Sequence, residues 1–457
     1  MRETASSMLL KAGTGVLTLA ITFAIGGGDV VAQESLEDDV TYARDVAPIL
    51  QQNCQVCHQP GSIAPISLMT YDDARRYARR IRSKVAERSM PPWHIDRSVG
   101  IQDFKNDRGL TDAEIETIVQ WVDNGSPFGD EADMPPPMEF PDPNDWQFAP
   151  DFGEPDMVFV SEAYDLDAVT QDKWYRPITE TGITEERWVK AIEIRPVGLG
   201  SRRIIHHALA FLLQDEEQGE RSAGSAEVTD RGAMGGPGLF MEWAVGKRGE
   251  IFPEGAGKLM MPGARILWEM HLHAIGEKVE AGQVELGVWL YPVGETPRNR
   301  TRLNMFDARG RSDLDIPPGE DNIRHDSYHP FTTNIRLTGF QPHLHNRGKR
   351  QCIEAILPDG NTETISCATW DFGWHIVYNY ADDVQPLLPK GTMLHTITWH
   401  DNSSANRWNP DPRNWAGFGQ RSSDDMSFTW TSYYELDDEE FAAAVEERQA
   451  KTNNDND

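Results

Sequence analysis

Basic residues are scarce in this chain: 43 Lys and Arg stand against 73 Asp and Glu, a formal net charge of -30 over 457 residues. Such a surface has nothing to neutralise a phosphate backbone, so nucleic acid is excluded as a partner. The excess acid favours solubility and also offers a face to a basic partner. Cysteine is rarer still, with four residues in all, which rules out the dense disulfide framework of a small secreted scaffold. Long apolar runs are missing too. The best candidate, Ala12 to Ile25, falls short of the roughly 20 apolar residues that cross a bilayer, so no membrane span is expected.

That N-terminal stretch has instead the layout of an export signal. Arg2 and Lys11 flank the apolar segment, and Val30-Val31-Ala32 supplies small residues before a cut. Residues 1–32 are expected to be a signal peptide, with the mature chain starting near Gln33 in the periplasm or outside the cell. In an oxidising compartment, two of the cysteines can pair. Cys352 and Cys367 flank "PDG", and Asp359-Gly360 is a hairpin signal. Counting outward from that turn sets Cys352 opposite Cys367, so a cross-strand disulfide is predicted, although the count puts the two in a hydrogen-bonded pair.

The other two cysteines lie in "CQVCH", Cys54 to His58. Cys-x-x-Cys followed at once by histidine is the attachment signature of a c-type haem. The thiols of Cys54 and Cys57 would bond the haem vinyl groups, and His58 would be the proximal iron ligand. Helical patterns surround the motif at 42–53, 72–88 and 110–125, the last with Thr111 and Glu114 as a capping box, Leu110 and Ile115 as a hydrophobic staple, and Gly125 as its stop. Met90, in "RSMPPW", is the expected sixth iron ligand because two prolines fix its loop; Met69 is the rival. Residues 40–128 therefore predict a small all-α cytochrome c domain.

A proline- and acid-rich stretch without periodicity follows, and residues 129–157 are expected to be a semi-rigid, extended linker. Beyond it come short alternating runs, "RWVKAIEIRP", "RILWEMHLHAIG" and "MSFTWTSYYEL" among them, separated by Gly, Pro and Asp. This is the texture of antiparallel sandwiches. Two are expected, over 158–300 and 301–457, divided by the polar stretch near 298–320, with a short exposed helix and an acidic tail at the end.

The chain has 13 histidines, and beyond His58 they cluster: His206 and His207, His271 and His273, His343 and His345, His395 and His400. A His-x-His pair on a strand puts both imidazoles on one face, a spacing that suits two ligands of one metal. Adjacent histidines such as His206 and His207 point to opposite faces unless the strand twists or bulges.

With "RIIHHALAFLL", "WEMHLHAIG", "HLHNRGK" and "SSDDMSFTWTSYYEL" in that order, residues 158–436 resemble the copper type II, ascorbate-dependent monooxygenases, the peptidylglycine α-hydroxylating and dopamine β-monooxygenase family. The resemblance implies two copper ions on two jelly-roll-type sandwiches that face each other across a solvent-filled cleft. His206, His207 and His271 would hold the electron-storing ion. His343, His345 and Met426 would hold the ion that meets O2, where a soft thioether favours Cu(I). His273 is a reserve ligand. His375, His395 and His400 are expected to hydrogen-bond or pack, with His395 the one to watch. Where peptide-amidating members bind a substrate carboxylate, this chain has Gln341, Phe428 and Trp430, so an uncharged or apolar small organic substrate is expected.

The expected fold class is thus multidomain: a small all-α cytochrome c domain followed by two all-β jelly-roll-type antiparallel sandwiches. The expected activity is insertion of one atom of O2 into that substrate, with electrons from the fused haem c, itself supplied by a periplasmic donor. The alternative is a non-catalytic copper-binding electron-transfer or copper-handling haem protein. A further alternative reverses the flow, with the copper module oxidising a substrate and the haem accepting.

Overall fold

Runs of β-branched and aromatic residues broken by turn residues fold here as long antiparallel strands. The computed structural model describes residues 40–105, 107–140, 142, 144–214, 238–244, 247, 249–307, 314–419 and 421–455. The expected signal peptide, 1–32, lies outside the described residues.

Three sheets position the site. A ten-stranded sheet runs through Met157–Val160, Val284–Leu290, Arg187–Pro196, Ala256–Met260, Asn299–Asp307, Ser427–Leu436, Asn334–Leu344 and Tyr378–Asn379 in spatial order. A five-stranded sheet holds Lys173–Tyr175, Arg265–Leu272, Ile205–Leu213 and Gly238–Ala244, with Ile178–Glu180 beside Arg265–Leu272. A four-stranded sheet holds Ile323–Pro330, Met393–His400, Gly348–Ile356 and Thr362–Thr369.

One apolar core, with Ile192, Ile194, Leu286 and Val288 against Ala210, Leu212, Ile266 and Trp268, lies between the first half of the long sheet and the five-stranded sheet. A second, with Ile335, Leu337 and Phe340 against Ile353, Ala355 and Leu394, lies between its other half and the four-stranded sheet. The five-stranded sheet is covered on its other face as well. There Leu209, Phe211, Leu213 and Leu267 pack on Leu303, Met426, Phe428 and Trp430. Burial on both faces explains why "HHALAFLL" has no polar alternation.

The expected fold class does not hold. The protein is mostly β-sheet with few helices, and a separate small all-α cytochrome domain is not seen. Helices do form near the expected places, as α1 Ala47–Asn53, α2 Tyr71–Ala86 and α3 Asp112–Asp123, and the Thr111–Glu114 capping box is complete. They belong, however, to one compact unit, Val40–Asp457. The physical reason is the excursion between α2 and α3. Its Trp93, Ile95 and Phe104 are buried in the second β core, and Ile95 and Phe104 bridge to Ala368 and Tyr380. The helices share an apolar cluster of their own, with Tyr42, Leu50, Ile118 and Trp121, and the excursion ties it to the sheets.

The sheets also meet two of the expected boundaries. Asn299 and Arg300 pair in parallel with Ala256 and Gly257, so the long sheet runs through the expected division at 300/301 instead of breaking there. The expected linker, 129–157, is clamped at its C-terminal end. Trp146 is buried, edge-on to Trp289, under the Arg195 guanidinium. The N–H groups of Gln147 and Phe148 donate to the buried Glu193 carboxylate. At Gly287 a side chain would come within 2.9 Å of Trp146, so the strand leaves room for that indole.

The predicted disulfide is present between Cys352 and Cys367, which are register partners 4.0 Å apart at Cα. That spacing is closer to a non-hydrogen-bonded pair than to a hydrogen-bonded one. A bulge between Ile353 and Glu354 makes up for a wider turn, which is why the simple count found the right partners. Among the described residues, no helix is long and apolar enough to cross a membrane.

Candidate metal centre

The adjacent histidines converge through a bulge. His207 is the cross-strand partner of His271, while the next pair joins Leu272 to Ile205, so His206 is the extra residue of the strand Ile205–Leu213. A bulge sets two residues against one and re-aims a side chain. Donor atoms of His206, His207 and His271 all lie within 4.8 Å of one another. The sequence segment "RR" that precedes the strand is not part of it but ends a short helix, Gly198–Ile204.

Each ring has a nitrogen free of protein partners among the described residues or fixed by one. Nε2–H of His271 donates to Asp172 Oδ2 at 3.0 Å, which leaves Nδ1 as its lone-pair atom. The Nδ1 atoms of His206 and His207 are buried with no hydrogen-bond partner among the described residues. Trp174 stacks on His271 at 4.6 Å and fixes its plane. Burial, and then the charge of His271, push the His206 pKa down to about 4, and burial pushes His207 well down. Both rings are therefore neutral at neutral pH, the form in which an imidazole can bind metal. His273 donates from Nδ1 to Asp172 Oδ1 at 2.7 Å and is exposed, so it supports the carboxylate from outside the triad.

The second predicted set sits on the facing sheet. Along Asn334–Leu344, His343 pairs with Phe428 and Leu344 with Ser427. One step further, this register brings His345 beside Met426. Asp425, fully buried, ties the turn together: it accepts from the backbone N–H of His345 at 3.0 Å, Arg347 at 2.9 Å and Met426 at 2.9 Å, with His400 Nε2 at 3.4 Å. Burial works to raise the Asp425 pKa, but the charge and side-chain hydrogen bond of His400, and then the charge and backbone N–H of His345, hold it down to about 2. Nδ1–H of His345 donates to Arg421 O at 3.1 Å, leaving Nε2. His343 is buried and stacks on Phe428 at 4.4 Å, and its Nδ1 has no partner among the described residues. Met426 is buried beside Phe428 and Trp430. His400 hydrogen-bonds the Met426 carbonyl, as expected. His395 lies in the four-stranded sheet between Asp326 and Glu354 under Tyr328.

The two sets do not face each other across a solvent-filled cleft. The rings of His207 and His343 are 6.3 Å apart, both buried. The cause is the apolar layer of Leu209, Phe211, Phe428 and Trp430, which zips the two sheets together next to the histidines. His375 stands between the sets, 5.0 Å from His206 and 4.9 Å from His343 by ring centres. Sequence reasoning set this residue aside because it stands alone in "DFGWHIVYN", without a partner at ligand spacing. Beside them, Gln341 donates to Glu242 Oε1 at 2.7 Å, and burial raises the Glu242 pKa.

The haem-motif residues cluster at the end of α1. The N–H groups of Cys57 and His58 both donate to Cys54 O, a tight turn. Nδ1–H of His58 donates to Ile66 O at 3.0 Å, which leaves Nε2 for a metal. Burial, followed by the charge of Cys57, pushes the Cys54 thiol up to about 12. Met90 is half-buried in the turn after α2, and Met69 is half-buried just before α2. Past Met90, Asp96 N–H donates to Cys367 O and Thr369 N–H to His94 O, so this segment lies against the stretch that leads to Trp370 and His375.

No family model matches the chain, and no curated protein does either. Solved structures show only faint likeness. The VP2 subviral particle of infectious bursal disease virus aligns at 10% identity over 64% of this chain and 74% of that one, with a TM-score of 0.18. The T13 particle of the same virus aligns at 11% identity over 63% and 75%, with a TM-score of 0.17. A candidate secreted protein from Parabacteroides distasonis aligns at 7% identity over 61% and 88%, with a TM-score of 0.15.

Proposed function

We propose that this chain is an exported copper-dependent monooxygenase of the peptidylglycine α-hydroxylating and dopamine β-monooxygenase type, with a covalent haem c feeding it electrons. Overall, one substrate C–H, one O2, two electrons and two protons become one C–OH and one water. The observation that carries the reading is the bulge that gathers His206, His207 and His271, with His343, His345 and the Met426 turn alongside.

The donor set fits copper. Neutral imidazoles serve both oxidation states, and a thioether favours the reduced one. His206, His207 and His271 would hold one ion, and His343, His345 and Met426 the other. Bound copper supplies the one-electron chemistry that activates O2. Asp172 orients His271, and Asp425 orients His345 and Met426 through the backbone. Leu209, Phe211, Phe428 and Trp430 keep the surroundings apolar, and Gln341, engaged by Glu242, presents no cation for an anionic substrate. An uncharged or apolar substrate is the best match.

Cys54, Cys57 and His58 would hold a haem, Met90 would be its sixth ligand, and a bound haem would supply a one-electron store. The hydrogen-bonded contact of 94–96 with 367–369 gives electrons a short protein path toward Trp370 and His375. The disulfide agrees with an oxidising compartment, and the periplasm fits a haem donor.

The test is copper counting joined to O2 uptake and product analysis over a panel of small neutral substrates, with Met426→Ala beside the wild type. Two coppers and a hydroxylated product are expected, with Met426→Ala keeping its haem and losing product. Absence of copper, or O2 uptake indifferent to copper, refutes the proposal. The burial of the cluster favours a second reading, a copper electron-transfer protein. In that case the haem would be oxidised through copper without any product.

A further inference from the structure

One further imidazole stands between the two proposed copper sets. His375 lies in the turn between Thr362–Thr369 and Tyr378–Asn379. Its ring is 5.0 Å from His206 and 5.7 Å from His207 on one side, and 4.9 Å from His343 on the other. Trp370 at 5.0 Å and Phe372 at 6.4 Å close the box. His375 is 3% exposed, and neither Nδ1 nor Nε2 has a hydrogen-bond partner among the described residues.

A buried polar atom without a partner is costly and calls for an explanation. Here one ring carries two such atoms, at opposite sides. A residue that only filled space between Trp370 and Phe372 would be Phe. A hydrogen-bonding histidine would have found a carbonyl or carboxylate, as His271, His345, His395 and His400 all do. What surrounds the ring instead is His206 and His207 of the first set and His343 of the second. An imidazole that gives up its N–H has a lone pair on each nitrogen and can serve two ions.

We propose that His375 is a ligand shared by the two metal sites, giving one ring nitrogen to the ion held by His206, His207 and His271 and the other to the ion held by His343 and His345. The two ions then form a single coupled centre. The inference rests on the copper reading above. It balances simply: the ring releases its remaining N–H proton to solvent when the second ion binds, and no electron is transferred. It also accounts for the missing cleft, because a shared ring requires the two sites to be close.

The test compares the copper-loaded, ferricyanide-oxidised full chain with His375→Phe. Copper is counted by mass spectrometry, and the copper region of the electron paramagnetic resonance spectrum is integrated at liquid-helium temperature. Two Cu(II) ions sharing an imidazole couple antiferromagnetically. The wild type should hold two coppers and show far less signal than two uncoupled spins. His375→Phe should show the full signal of every copper it holds and should lose copper more readily to a chelator. Wild-type protein with two coppers and two full spins overturns the shared ligand and leaves the monooxygenase reading standing. One copper overturns the shared ligand; no copper overturns both. Should His375→Phe misfold, as judged by circular dichroism of the copper-free form, the wild-type spin count decides alone.

Discussion

Asp172 offers the sharpest test of the three-histidine site, because it shapes that site from one bond away. Its Oδ2 accepts from His271 Nε2 at 3.0 Å and its Oδ1 from His273 Nδ1 at 2.7 Å. The first bond does two things: it fixes the tautomer that leaves Nδ1 as the lone-pair atom of His271, and it makes the ring a stronger donor. Removing such a carboxylate lowers metal affinity about 10–100-fold, roughly 1.4–2.7 kcal/mol. Asp172 is 36% exposed, so water screens part of its charge and the smaller figure, about tenfold, is expected for Asp172→Asn. Asn keeps the size and one acceptor oxygen, and loses the charge and the second acceptor. The assay is competition for copper against a chromophoric chelator, with His273→Asn as the control. If the effect runs through His271, Asp172→Asn weakens one copper by about tenfold, while His273→Asn changes little. Equal copper affinity in Asp172→Asn and the wild type would refute the assignment of His271 as a ligand through Nδ1.

Other consequences follow from buried groups. Asp425→Ala leaves the N–H groups of His345, Arg347 and Met426 without their acceptor and His400 without its carboxylate, so urea unfolding should show a loss of about 3–5 kcal/mol. Replacing both Cys352 and Cys367 by Ser opens a link of sequence separation 15, and the midpoint of unfolding should fall by an amount equal to about 3 kcal/mol. His206, whose pKa falls from the ordinary 6.5 to about 4, is neutral in the fold. The unfolded chain takes up its proton first, so the melting temperature of copper-free protein should drop as pH falls from 6.5 toward 4 and stay level above.

The sequence made some of this legible and hid the rest for physical reasons. His-x-His on a strand places two rings on one face by the two-residue repeat alone, so His343 and His345 could be read directly. His206 and His207 required a bulge, which spacing can demand but not locate; the structure puts it between the His207 and Ile205 pairings. The helices were visible through caps and periodicity, but their independence was not. Trp93, Ile95 and Phe104 lie between two helical patterns, and only long-range packing sends them into a β core.

The same limit explains both the false cleft and the overlooked histidine. A periodic strand pattern says which residues share a face, but not which other face covers it. Nothing in the strand pattern tells that Leu209, Phe211 and Leu213 seal against Met426, Phe428 and Trp430 on the long sheet. Once those faces meet, His207 and His343 are forced together, and a lone histidine on the next turn falls between them. The function of His375 is therefore a property of the closed interface and of no local motif. A change that loosens the interface, such as Phe211→Ala, should affect copper coupling before it affects either site alone, and a spin count on that variant would detect it.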